Sequence, residues 1–63
     1  MKYTVNLRVE TYSGVNAEMY SVMAENSKVA VNAATMNAIR KYGQKNVAEI
    51  EVISVTEVSH AVA

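Results

Sequence analysis

The stretch Lys2-Tyr3-Thr4-Val5-Asn6-Leu7-Arg8-Val9-Glu10 decides the fold. Tyr3, Val5, Leu7 and Val9 share one parity; Lys2, Thr4, Asn6, Arg8 and Glu10 share the other. Period two over this length marks a strand with one face buried and one in water, which predicts a strand over residues 2–12. Turn residues follow at Ser13-Gly14-Val15-Asn16, so a hairpin is expected. A second strand then runs from about Ala17 to Ala24. There Glu18, Tyr20, Val22 and Ala24 oppose Ala17, Met19, Ser21 and Met23. Neither row is strongly polar; the reading favours Tyr20, Val22 and Ala24 inward.

From Ser27 the period becomes helical. Asn26 or Ser27 can cap the first turn, because a side-chain oxygen there accepts a free amide hydrogen. Arg40 and Lys41 suit the negative end of the helix dipole, and Gly43 fits a left-handed stop. A helix over 27–42 is therefore expected. Val31, Ala34, Ala38 and Tyr42 form one stripe; Val29, Ala33, Met36 and, more loosely, Ile39 fall on a second side. One sheet satisfies one stripe, so the second suggests burial against something else.

Val47 to Val58 is a third strand. Ala48, Ile50 and Val52 share one face against Glu49 and Glu51, then the phase slips at Ile53, and Ile53, Val55 and Glu57 take the other parity. The slip is read either as a β-bulge near Ile53 or as burial of the distal half on both faces. The order β-β-α-β, closed by a right-handed crossover, predicts an α+β domain spanning residues 1–63. Its three-stranded antiparallel sheet has the order 2-1-3, with the helix on one face. Val5, Leu7, Val9, Ala34 and Ala38 are the expected core.

Composition narrows the function classes. The 63 residues include no cysteine and no proline, and Ala and Val make up 20 of the 32 apolar residues. A chain this short buries only about 60% of its unfolded surface, so a thin core of small side chains points to support from another chain. Disulfides and thiolate metal sites are excluded, and with His60 as the only histidine and no aspartate, an intrachain metal cluster is not expected. No cofactor is expected. Six Lys+Arg balance six Glu. This lacks the basic excess of a phosphate binder and gives little repulsion between copies. The chain enters alternation at once, without an apolar signal-peptide stretch, and no window reaches the ~18 apolar residues of a membrane span. A cytoplasmic protein without membrane association is expected.

No catalytic constellation emerges. His60 has no aspartate to orient it and reads as an exposed tail residue. Glu49 and Glu51 read as a solvated strand face rather than a catalytic carboxylate pair. Gly14 and Gly43 stand alone, so no phosphate-cradling loop forms. Tyr3, Tyr12, Tyr20 and Tyr42 do not form an RNA-stacking signature, which wants two or three exposed aromatics beside basic residues on a sheet, and Tyr3 and Tyr42 read as core.

At the strand-helix junction, Val22-Met23-Ala24-Glu25-Asn26-Ser27 followed by Ala30 and Ala34 resembles the join of many small β-β-α-β proteins from bacteriophages and mobile elements. Some small inhibitors of type I CRISPR complexes carry a similar join. The resemblance implies a fold join, and for an inhibitor of that kind, steric blocking of a host complex; it carries no site residue. The leading expectation is a non-enzymatic interaction module. It would self-associate as a dimer or larger and bind a protein target, with Val29, Ala33 and Met36 of the helix and Ile53 and Val55 of the third strand at the interface. Ile53-Ser54-Val55-Thr56 is the stretch expected to pair with another chain, since Glu49, Glu51 and Glu57 flank its uncharged middle. A bulge at Ile53 or the Ser59–Ala63 tail would instead cover that edge within the monomer. The alternative is a nucleic-acid binder using Arg8 or the Arg40, Lys41 and Lys45 cluster.

Overall fold

In the computed structural model, which describes residues 1–58, the alternating stretch is the central strand β1, Lys2–Thr11. Tyr3, Val5, Leu7, Val9 and Thr11 are buried on one face. Strand β2, Gly14–Met23, and strand β3, Val47–Val58, flank it in the order β2-β1-β3, both antiparallel. Helix α1, Ser27–Tyr42, covers one face. The α+β architecture expected from the sequence is the one observed.

The alanine spacing sets the depth of that packing. Ala30, Ala34 and Ala38, four residues apart, line one ridge of α1 and are completely buried. A methyl-sized ridge lets the helix approach β1 closely, where Val5, Leu7 and Val9 fill the space beneath it. The buried seam differs slightly from the expected stripe: Ala30 takes its N-terminal end, while Val31, Ala33 and Tyr42 pack along its flanks. The Asn26 side chain caps the helix, accepting from the Val29 amide at 3.0 Å. At the other end Gly43 has φ +88° and donates its amide to the Ile39 carbonyl at 2.8 Å. A Cβ there would sit 3.3 Å from Asn46 Nδ2, so both conformation and space favour glycine.

Two boundaries differ from the sequence reading. The hairpin turn is the pair Tyr12-Ser13, and β2 begins at Gly14 rather than Ala17. Thr11 causes the difference: its Oγ1 donates to the Gly14 carbonyl at 3.0 Å and accepts from the Ser13 amide at 3.3 Å. With the turn closed that early, Val15 and Asn16 continue the ladder opposite Glu10 and Val9. The first strand likewise ends at Thr11 rather than residue 12. The pairing of β1 with β2 is unbroken over its whole length.

The phase slip in β3 is a β-bulge. Asn6 pairs with Ser54 and Leu7 with Val52, so Ile53 is the extra residue. The other reading, burial of the distal half on both faces, is overturned, because Ile53, Thr56 and Glu57 are exposed. A second register shift, between Glu10 and Thr11, leaves Ala48 unpaired and exposed, whereas the sequence had grouped it with Ile50 and Val52. Val47 packs on the core in its place. The expectations for His60 and the Ser59–Ala63 tail lie outside the described residues.

Candidate functional site

The sheet has one covered face and one open face. On the open face, β1 presents Lys2, Thr4, Asn6, Arg8 and Glu10, opposite Met23, Ser21, Met19, Ala17 and Val15 of β2. On the other side of β1 stand Val58, Thr56, Ser54, Glu51 and Glu49 of β3. The centre and the β3 side of this face are mostly polar, and two cross-strand pairs bond there. Asn6 Nδ2 donates to Ser54 Oγ at 2.9 Å, and Arg8 lies 3.5 Å from Glu51, with both charged side chains about half exposed. An ion pair so open to water contributes about 1 kcal/mol at most.

The β2 side is different. Val15, Met19 and Met23 are 51, 68 and 74% exposed on one strand row, and the bulged Ile53, 57% exposed, faces Val15 and Met19 of that row across Asn6 and Arg8. Between them is a shallow concavity of about 570 Å³ lined by Asn6, Arg8, Val15, Ala17, Met19 and Ile53. Large exposed apolar side chains gathered on one face mark contact surfaces more often than singly scattered ones do. The surface combines the exposed Val15, Met19 and Ile53 with the polar Asn6 and Arg8, a mixed composition that suits packing against another macromolecule.

On the covered face, a polar clamp joins β2 to the helix. Glu18 accepts from Lys41 Nζ at 2.8 Å with one carboxylate oxygen and from the Tyr42 hydroxyl with the other. Lys41 also lies 5.5 Å from the centre of the Tyr42 ring. The bond from Lys41, then that from Tyr42, holds the Glu18 carboxyl below its ordinary value. The same carboxylate raises the Lys41 ammonium and the Tyr42 hydroxyl above theirs. Tyr20 stands on the same strand face; its hydroxyl is buried without a hydrogen-bond partner among the described residues, and burial followed by the Glu18 charge raises its pKa.

The residues singled out from sequence scatter over three surfaces. Val29 and Met36 are exposed on the outer side of α1, while Ala33 is half-buried against the core. Ile53 reaches the open face through its bulge, and Val55 turns inward opposite Val5. Of the four candidate nucleic-acid cations, Arg8 engages Glu51 and Lys41 engages Glu18; Arg40 and Lys45 are exposed. Sequence reasoning passed over the Val15, Met19 and Met23 row, although its parity was visible. The row favoured as inward, Tyr20, Val22 and Ala24, is the one packed on the core, but both rows of β2 are apolar, so the outward row did not stand out as a surface feature. Among the described residues, no three His, Asp or Glu side chains gather as metal ligands would, and no helix is long and apolar enough to cross a membrane. Comparisons with protein-family models, curated proteins and solved structures give no match.

Proposed function

We propose that the chain is a non-enzymatic interaction module that self-associates and presents its assembled surface to a protein partner, acting by occupying the partner's surface. The observation that carries this reading is the row Val15, Met19 and Met23 on a sheet face that no helix covers among the described residues, with Ile53 facing Val15 and Met19. A folded chain this small has little buried apolar area to spare, and four large apolar side chains in water are better placed at a contact. The zero net charge puts no electrostatic barrier between copies.

Light scattering across the micromolar range tests the reading, with a mass of at least twice 6.9 kDa expected. In a Met19→Glu/Met23→Glu variant the mass should fall toward that of one chain while the circular-dichroism spectrum is retained. A wild-type mass of one chain at every concentration overturns self-association.

A further inference from the structure

The two sheet edges are not equivalent, and the difference identifies a docking edge and its occupant. The Ala24 amide donates to the Met1 carbonyl at 2.8 Å, which fixes the phase of the β1–β2 ladder. In an antiparallel pair, hydrogen-bonded positions alternate with positions whose amides point the other way. Asn16, Glu18, Tyr20 and Val22 therefore bond to β1, and Val15, Ala17, Met19, Ser21 and Met23 turn their N–H and C=O groups to the sheet edge, which pairs with no other strand among the described residues. That row is regular, without bulge or proline, and its side chains carry no charge. The β3 edge is interrupted at Ala48 and Ile53 and flanked by Glu49, Glu51 and Glu57, two of the devices that protect edges from pairing.

We propose that β2 pairs with β2 of a second copy, antiparallel about a two-fold axis through Met19, to form a continuous six-stranded sheet with both helices on one face. This inference rests on the self-association proposed above and specifies its geometry. The outward row is symmetric about its middle residue. Centring on Met19 sets Val15 opposite Met23 of the other copy and Ala17 opposite Ser21, so every outward amide and carbonyl of the row is paired. On the open face, the exposed Val15, Met19 and Met23 of both copies become cross-strand neighbours. Charge selects the same register. Centring on Glu18 would set two carboxylates directly opposite each other and leave Met23 unpaired, whereas centring on Met19 places Glu18 opposite Tyr20 of the other copy. Glu18, the only charged residue of the strand, is held by Lys41 on the covered face, away from the row that meets the second copy.

Because the chain has no cysteine, single-cysteine variants report the register directly. Hydrogen-bonded pairs across an antiparallel ladder lie about 5.5 Å apart at Cα, within disulfide reach. Under mild oxidation Met19→Cys should link to itself in high yield. Val15→Cys and Met23→Cys should remain monomeric on a non-reducing gel when alone and link when mixed, because each lies some 27 Å from its own copy and opposite the other. Light scattering of the wild type is run alongside. A wild-type mass of one chain overturns both the self-association and this interface. A wild-type dimer in which Met19→Cys does not link, or Val15→Cys links to itself, overturns the β2 interface and leaves self-association standing. Ala17→Pro gives a second check: it removes an outward N–H that β1 does not use, so it should halve the dimer mass, whereas Val55→Pro on the β3 edge should leave it unchanged. The reverse pattern would assign the contact to β3.

Discussion

Leu7 is the only leucine in the chain and the largest of the three completely buried β1 side chains. It lies between Val5 and Val9 under the ridge of Ala30, Ala34 and Ala38, in a core where most other side chains are no larger than valine. Small neighbours have few rotamers with which to fill a vacated volume, so a truncation here leaves most of its cavity open. Leu7→Ala should cost about 2–5 kcal/mol. A domain of this length sits near the lower end of the usual 5–15 kcal/mol, so the variant should approach its unfolding threshold. The urea midpoint of the variant against wild type measures this; an unchanged midpoint would mean that the helix does not rest on this strand face.

At the scale of elements, α1 is tied to β2 by the Glu18 clamp as well as by its alanine ridge, which makes the tie pH-dependent. The Glu18 carboxyl is held below its ordinary value of 4.5 by Lys41 and then by Tyr42. Its contribution is therefore complete above the unfolded chain's pKa and is lost as pH falls through the folded one. Lys41, Tyr42 and Tyr20 are raised above ordinary values of 10.5, 10.0 and 10.0, so their contributions are complete below those values and lost as pH rises through the folded ones. Thermal midpoints followed from neutral pH down to about pH 3 should fall less in Glu18→Gln than in wild type; equal falls would remove Glu18 from the acid response. None of this clamp was legible in the sequence, because Glu18 and Lys41 are 23 residues apart and meet only when the helix crosses back over β2. What local chemistry dictates was legible: the alternation of β1, the Asn26 and Gly43 ends of α1, and the slip at Ile53, where parity itself changes. The bulge at Ala48 left no such mark, since Val47 and Ala48 are both apolar and either could face the core. The hairpin turn was displaced because Gly14 and Asn16 look like turn residues, whereas the Thr11 side chain decides where the chain reverses.

For the molecule as a whole, the burial pattern concentrates stability in one layer and leaves the opposite side of the sheet undefended. The buried apolar residues lie between β1, β2 and α1, and among the described residues no second layer covers Val15, Met19 and Met23. A monomer would have to hold a 63-residue chain together with a core built mainly of valine and alanine. If a second copy completes the sheet, folding and association become one equilibrium, and stability depends on protomer concentration. Each tenfold increase in concentration then adds about 1.4 kcal/mol per dimer, or about 0.7 kcal/mol per chain. A domain of 60–100 residues gains about 4–8 °C per kcal/mol, so the thermal midpoint should rise by about 3–6 °C per decade of concentration. Met19→Glu/Met23→Glu should remove this dependence and leave a lower, concentration-independent midpoint. Scanning calorimetry over two decades of concentration measures both chains. A wild-type midpoint that does not move would mean that the single layer under α1 is sufficient, and that the exposed methionine row serves a partner other than the chain itself.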